Sequence, residues 1–448
     1  MKKITAMKHQ LQSLAFMKGK KAVFDMSDPG TGKTFVEIMD FADRRKKRGG
    51  CALVVAPKSL LQAAWANDVK KFAPHLKTSI AWAHCRDDAF NVDADIYIIN
   101  VDGVKDLLKK PASFWKRFKG GTIIFDESTA FKHHTSKRSS AARKIVKYFE
   151  YRRTMSGTPT SNGICDIHHQ VLLLDDGKRL GQSFYSFRNA VCIPEQTGPS
   201  ANMLKWIDRP GVENTVIGLL SDIVIRHKFE DCIDIPPNHK YALNITLSPK
   251  HRKLYDELEK ESFLEFSTTT ITAINGAVLA TKLLQAASGA VYNNDGGYSS
   301  FATDRYELVL DLVEARKHSI VFYHWEHQLE ELLKEVKKRD ITHKVWDADH
   351  PEIEHQYQQG FFQVLFAHPQ SAGHGLTLTK GTATIWASPT PNLEHYLQGL
   401  KRIDRIGQKE KTETIVIVAE GTRDERIWQM MQDKKVRMDQ LFDAAEAL

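Results

Sequence analysis

The sequence predicts an α/β protein of two lobes, each a parallel sheet flanked by helices, with helical insertions. Three observations predict it. A Gly-Lys-Thr loop lies between the apolar run 22–24 and the helix-periodic stretch 35–39. Short β-branched runs alternate with helical stretches through the first half, the pattern of a sheet with crossover helices. A second series of the same kind begins after the turn Asn293-Asn294-Asp295-Gly296-Gly297. The expected division is a first lobe over 1–160, irregular aromatic-rich insertions and connection over 161–300, a second lobe over 301–430 and a helical tail over 431–448.

In chain order, the candidate strands of the first lobe are 22–24, 52–55, 95–99, 122–125 and 152–155. Several end directly in polar residues, where open α/β sheets place their ligands. From 162 to about 237 the pattern is irregular, with few clean strands. A strand over 241–247 follows, then a charged helix from 249 to about 266 and another over 273–285. After the turn come helix 307–317, strand 319–323, helix 327–338 and strands 364–367, 384–386 and 414–418.

The 448 residues allow two or three domains, each with its own core. With 42% hydrophobic and 26% charged residues, the composition is that of an ordinary globular protein. No apolar run approaches the ~18 residues of a membrane span, and the N-terminus has lysines but no apolar segment or cleavage site of a secretion signal. Cys51, Cys85, Cys165, Cys192 and Cys232 are scattered and odd in number, which suits a reducing compartment. His133-His134, and Cys165 with His168-His169, lack a second pair at ligand spacing, so surface histidines are expected rather than a metal site. The net charge of +8 clusters at 44–48 and 132–144. The second cluster suggests a polyanionic partner, whereas the first suits a solvated helix C-terminus.

The chemistry centres on Ser27-Asp28-Pro29-Gly30-Thr31-Gly32-Lys33-Thr34. Gly30 and Gly32 let the backbone curl so that N–H groups around Asp28, Thr31 and Lys33 face phosphate oxygens, and the following helix adds its positive end. Lys33 is placed to reach β- and γ-phosphates and Thr34 to ligate Mg²⁺, so a nucleoside triphosphate is the expected ligand. One position departs from the strict pattern, since Ser27 stands where the first glycine belongs. Strand 122–125 runs into Asp126-Glu127, a pair that suits a metal-supporting Asp and a water-activating Glu. Far downstream, Arg402 and Arg405 stand three residues apart, a spacing that on a helix puts both on one face. Guanidinium groups there could act on a γ-phosphate as arginine fingers, or form a plain basic helix.

With these motifs in view, the chain resembles the Snf2-type ATPases of helicase superfamily 2, from about residue 5 to 430. Lys8-His9-Gln10 resembles the adenine-reading segment, with Gln10 as the reader. Lys58 and Ser59, in the segment 56–61 followed by Trp65, Asp68 and Phe72, resemble the segment that touches the nucleic-acid backbone. Asp126-Glu127-Ser128-Thr129 with Lys132 resembles the Walker B element, and Ser156-Gly157-Thr158-Pro159 the motif coupling ATP to nucleic acid. Residues 174–188 resemble the helical insertion and 247–255 the start of the second lobe. Residues 371–379, including Gly375 and Thr377, and 398–408, including Gln398, resemble the last two motifs. Departures are Ser128-Thr129 in place of Ala-His or Gly-His, His374 where glycine is common, 388–392 without Trp-Asn-Pro, and Arg226-His227-Lys228 in place of Arg-Arg-x-Lys.

The resemblance implies two RecA-like lobes, ATP and Mg²⁺ as cofactors, and movement along double-stranded DNA without strong sequence preference. Catalytic residues would be Lys33, Glu127, Arg402 and Arg405, with Thr34 and Asp126 on the metal. Gln10, Asp28, Gly30, Thr31, Gly32, Gly375 and Gln398 would bind the nucleotide; Lys58, Ser59, Lys132, Ser156, Gly157, Thr158 and Thr377 would contact DNA or couple to it. No further targeting domain is expected in the chain, which matches compact bacterial or bacteriophage members, monomeric and cytoplasmic. Two alternatives stay open: a strand-separating DNA or RNA helicase, with Phe184, Tyr185 and Phe187 as wedge candidates, and a nucleotide-binding scaffold for replication or recombination proteins.

Overall fold

A computed structural model describes residues 6–196, 204–268, 273–293, 295–372 and 376–446. The chain divides into two compact units, Met1–Asp234 with Lys434–Leu448, and Ile235–Asp433. Residues 161–234 thus pack in the first unit and 235–300 in the second. The last helix, Arg423–Glu446, starts in the second unit, and its residues from Lys434 onward belong to the first.

The first unit is built on β1 (Ala22–Asp25), β2 (Ala52–Ala56), β3 (Thr78–Ala81), β4 (Ile96–Asn100), β5 (Thr122–Asp126) and β6 (Tyr151–Met155). An antiparallel hairpin of β7 (Cys192–Gln196) and β8 (Leu204–Asp208) stands apart, and β9 (Val224–Ile225) returns to the main sheet. The order is β3-β4-β2-β5-β6-β1-β9, with every pairing parallel. Every residue of β2 and β5 is buried, as expected where both faces carry helices. Side chains alternate between two cores. Leu53, Val55, Ile123 and Phe125 join Ile99 and Phe118 on one face, while Ala52, Val54 and Ile124 join Phe41, Trp65 and Val69 on the other. With both faces sealed, polar chemistry leaves the sheet at the strand ends, where β1, β5 and β6 deliver the loop after Asp25, the carboxylate of Asp126 and the turn at Ser156.

The second unit contains β10 (Asn238–Ile245), the hairpin of β11 (Ala290–Tyr292) and β12 (Tyr298–Ser300), and then β13 (Ser319–Phe322), β14 (His343–Val345), β15 (Val364–Ala367), β16 (Ala383–Trp386) and β17 (Thr412–Ala419). Its six-stranded sheet runs β10-β17-β16-β13-β15-β14, all parallel. Val321, Phe366, Ile385 and Ile415 pack against helices Asp304–Glu314 and Glu326–Arg339 through Val309, Val313, Leu332 and Val336. The expected two-lobed, parallel α/β architecture is therefore present.

Three local expectations are corrected. The edge strands β3 and β14 escaped the sequence reading because Thr-Ser-Ile-Ala and His-Lys-Val, each half-exposed, lack a sustained apolar run. His168 and His169 are not surface residues: they sit at 1% and 2% exposure on helix Ile167–Asp175, which is buried along its whole length. His168 is satisfied by the Gly181 carbonyl at 3.0 Å, and burial holds both imidazoles below their ordinary pKa, His169 at about 4. Among the described residues no group of three or more His, Cys, Asp and Glu could hold a metal ion. Finally, Arg402 and Arg405 do not share a helix, because helix Leu393–Leu400 ends before them and a turn with Gly407 at φ 103° follows.

The Arg44–Arg48 cluster ends helix Lys33–Arg48 as expected, yet Arg44 is drawn inward to Asp40 at 2.6 Å and Thr122 Oγ1 at 2.6 Å. All five cysteines are free. Among the described residues no helix is long and apolar enough to cross a membrane.

Candidate active site

The phosphate loop takes the curl its sequence predicts. Gly30 and Gly32 sit at φ 92° and 84°, where a side chain would be strained. The space is also closed: a Cβ on Gly30 would lie 2.9 Å from the Phe229 ring, and one on Gly32 would lie 2.4 Å from the Gln10 amide. Helix Lys33–Arg48 starts directly after Gly32, so its positive end faces the loop. The Lys33 ammonium curls into the loop and donates to the carbonyls of Ser27 at 2.7 Å and Asp28 at 3.2 Å.

Residues distant in sequence hold the loop's outer wall. Ser27, the departure from glycine, is buried and accepts the His227 N–H on its hydroxyl at 3.1 Å. Asp28 is clamped: Arg226 meets one carboxylate oxygen at 2.7 Å and the Phe229 N–H donates to the other at 2.9 Å. Arg226 itself lies 3.8 Å over the ring of Phe442, and Lys228 reaches Glu446 at 2.7 Å, so the last helix braces the clamp. On the other side, His9 Nε2 bonds the Thr31 carbonyl at 2.7 Å and the Gln10 amide donates to it at 3.3 Å. The Arg226-His227-Lys228 segment and His9 were not assigned to this loop by sequence reasoning; no local spacing could have placed them there.

The acidic pair lies in the same unit. Asp126 closes β5, buried, and the Trp65 indole donates to its Oδ2 at 2.8 Å. Trp65 comes from a π-helical segment, Leu61–Ala66, of the kind often found at functional sites. Burial raises the Asp126 carboxyl above its ordinary range even though the Trp65 indole and the Glu127 N–H bond it. A desolvated carboxylate of this kind fits a compensating cation, and Thr34 opens the helix of the same unit. Glu127 follows at φ 52°, a left-handed conformation unusual outside glycine and consistent with a functional turn.

The residues predicted to couple or contact DNA fall into two groups. Ser156, Gly157 and Thr158 are buried. The Ser156 N–H donates to the Asp25 carbonyl at 3.1 Å, its Oγ accepts the Thr158 N–H at 3.0 Å, and a Cβ on Gly157 would lie 2.6 Å from Pro29. Lys132 is also turned inward, to Ser161 Oγ at 2.9 Å and Asp166 at 3.3 Å. Lys58 and Ser59 are exposed, with Lys58 lying over the Trp82 ring. Lys137, Arg143 and Lys144 are also exposed.

In the second unit both arginines converge on one carbonyl. Arg402 donates to Leu376 O at 3.0 Å and to Gln398 O at 2.9 Å, and Arg405 donates to Leu376 O at 2.9 Å. The arrangement joins the last two predicted motifs within the unit. Arg402 is 6% exposed, whereas Arg405 is half-buried. Thr377 donates its N–H to Glu354 at 2.6 Å, and burial raises the Glu354 carboxyl despite that bond and the nearby arginines. Gln398 is buried with its amide on Glu394 at 3.3 Å. Gly375, with His374, lies outside the described residues.

A phosphate loop opening a helix, an acidic pair at a neighbouring strand end and a second parallel α/β unit carrying paired arginines define the helicase-like, phosphate-loop class. The SNF2-related domain model matches residues 9–288, more than half of the chain. The chain belongs to the SNF2-related family. It is 31% identical over 417 residues to protein p41 of Acyrthosiphon pisum secondary endosymbiont phage 1, covering 88% of this chain and 87% of that protein. It is 23% identical to an uncharacterized ATP-dependent helicase of Mycoplasma pneumoniae, covering 97% of this chain but 42% of that protein. With the SWI/SNF-related matrix-associated actin-dependent regulator of chromatin subfamily A-like protein 1 of Xenopus tropicalis it shares 25% identity, covering 91% of this chain and 42% of that protein. Against the Sulfolobus solfataricus SWI2/SNF2 ATPase core in complex with dsDNA, the match has a TM-score of 0.45 and 18% identity, over 98% of this chain and 93% of that one.

Proposed function

We propose that the chain is a DNA-stimulated, Mg²⁺-dependent ATPase that moves along double-stranded DNA. The observation that carries this reading is the pairing, in one unit, of the Lys33 loop with Asp126-Glu127 at the end of β5. Loop N–H groups and Lys33 would bind the phosphates, with Gln10 on the adenine side. Thr34 and Asp126 would hold Mg²⁺, which when bound offsets charge on the phosphates. Glu127 would orient the attacking water and accept its proton. Arg402 and Arg405 would stabilise charge developing on the γ-phosphate during turnover. The chromatin-regulator relative, the net charge of +8 and the exposed Lys58, Arg143 and Lys144 support a DNA partner held through its phosphates, hence without strong sequence preference. A monomer working in a bacterial or infected-host cytoplasm is the simplest form of this reading.

Movement without strand separation is favoured by the packing of the wedge candidates. Phe187 is buried and Phe184 stacks on His134 with ring centroids 4.1 Å apart, which leaves Tyr185 exposed. The deciding experiment is ATPase rate with no nucleic acid, blunt duplex, single-stranded DNA and RNA, beside a gel unwinding assay. Salt-sensitive stimulation by duplex with little unwinding is expected. Equal rates with and without duplex would sink the translocase; efficient unwinding would favour the helicase; no turnover at all would favour a scaffold.

A further inference from the structure

Helix Ile167–Asp175 carries a polar side chain that neither the phosphate chemistry nor the core requires. Gln170 is fully buried. Its Oε1 accepts the hydroxyl of Ser128 at 2.6 Å, and its Nε2 donates to the carbonyls of Pro159 at 2.8 Å and Asp166 at 2.9 Å. Carbonyl oxygens only accept, so the amide can face them only through its NH₂, and Ser128 must then be the donor. The bridge is therefore directional and fixed at both ends. One end is the residue after Glu127 and the other the residue after Thr158.

We propose that Gln170 is a positioning residue that links the acidic pair to the Ser156-Gly157-Thr158-Pro159 turn; the proposal rests on the ATPase reading above. Ser128 is buried directly behind Glu127, whose left-handed backbone turns the chain inward, so displacement of Glu127 pulls on the Ser128 hydroxyl. Gln170 passes that displacement to Pro159. The turn is in turn seated on the phosphate loop, through Gly157 against Pro29 and Ser156 N–H on the Asp25 carbonyl. Lys132, bonded to Ser161 and Asp166, is a second tie between the same two segments. Acidic pair, turn and phosphate loop are thus linked in series with Gln170 as one joint, and opening that joint separates hydrolysis from its stimulation.

The test measures basal and duplex-stimulated ATPase of the full chain for Gln170→Leu, Ser128→Ala and the double variant, with KM for ATP and Tm alongside. Gln170→Leu keeps most of the volume and removes every bond of the bridge. The stimulated kcat should fall about tenfold while basal rate and KM stay within about twofold. Ser128→Ala should give a similar loss, and the double variant little more, since both open one joint. Basal and stimulated rates falling in parallel, additive losses, or unchanged stimulation in any folded variant would overturn the role of Gln170. Should Gln170→Leu fail to fold, Ser128→Ala, which removes one oxygen, decides alone. A wild-type chain without ATP turnover would overturn the site reading itself, and the proposal with it.

Discussion

The phosphate loop of the first unit and the arginine segment of the second both spend their cations on main-chain carbonyls, but under different constraints. Lys33 bonds carbonyls of its own loop, Ser27 and Asp28, from a part-buried position. An incoming phosphate can take over those bonds without moving the walls, which Gln10, Phe229 and the Asp28–Arg226 pair hold independently. Arg402 is instead buried and spans from Gln398 to Leu376, so it fastens two segments of the second unit together. Arg405 meets the same carbonyl from a half-buried position. The lesson is that a cation's freedom to serve a substrate depends on what its present bonds hold in place. By that standard Lys33 is ready, Arg405 is able to change partners, and Arg402 serves as a fastening as well.

The largest expected effect tests the ready end of that comparison. Lys33→Ala should lower turnover by ~10⁴ or more while leaving the fold and most DNA affinity intact, because a lost phosphate ligand acts at the transition state and each ~1.4 kcal/mol is tenfold. Glu127→Gln should bind ATP and hold it unhydrolysed, since the amide keeps the outline of the side chain without its basicity. Nucleotide binding and single-turnover hydrolysis read the two separately. Near-normal turnover by the Lys33 variant, or loss of ATP binding by the Glu127 variant, would break these assignments.

The next effect separates the two arginines. Arg405→Ala should remove most duplex stimulation, a contact worth roughly 10³ or more in rate, with DNA binding and Tm nearly unchanged. Arg402→Ala should lower the Tm of the second unit as well, because the Gln398 carbonyl loses a donor and the Leu376 carbonyl loses one of its two. Equal Tm losses in both variants would erase the distinction drawn from burial.

How much of this was legible in the sequence follows from the distance over which each contact acts. The loop was legible because Gly30 and Gly32 answer to their own backbone angles, and the acidic pair because a buried strand has to end somewhere. The braces were not. Trp65 meets Asp126 across 61 residues, and Phe229 meets Asp28 across 201, with residue types that are ordinary in any core or turn. His168 and His169 were misread because adjacent histidines look polar; the packing around Ile167–Asp175 overrode that, with the Gly181 carbonyl as partner for His168. The arginine spacing suggested a helix, yet the chain stops helical bonding at Leu400 and brings both side chains to Leu376 through a turn.

A smaller effect probes a brace on the first unit's site. Trp65→Phe keeps the aromatic filling but removes the N–H on Asp126, so the buried carboxyl should hold its proton more tightly and its cation less. The Mg²⁺ concentration for half-maximal ATPase should rise roughly tenfold, as for other outer supports of a metal ligand, and excess Mg²⁺ should restore the rate. An unchanged Mg²⁺ curve would remove Trp65 from the metal's support.

The smallest expected effect concerns stability, and it sets the two units against each other across pH. In the first unit Glu37 is buried, both carboxylate oxygens lack a hydrogen-bond partner, and Arg153 Nε stands 3.8 Å away. Burial pushes its pKa up to about 8 from an ordinary 4.5. The folded state therefore keeps a proton that the unfolded chain has already released, and the stability contributed is full below 4.5 and lost as pH rises to about 8. Arg153 keeps Asp40 at 3.3 Å and three main-chain carbonyls, so its charge remains compensated when Glu37 is neutral. In the second unit burial depresses His324 to about 3 and His327 to about 4 from 6.5. There the unfolded chain binds protons first, so stability is full above 6.5 and lost as pH falls towards those values. His134, His168, His169 and His227 add the same acid loss to the first unit, opposing the gain from Glu37. Calorimetry from pH 8.5 to 5 should accordingly show both units losing stability to their histidines, with Glu37 offsetting part of that loss in the first unit. Glu37→Gln should raise the first unit's Tm by about 5 °C at pH 8.5 and by under about 1 °C at pH 5, a few kcal/mol on a unit of this size. A variant equally stabilised at both pH values would mean that Glu37 titrates normally and that the contrast between the units lies in the histidines alone.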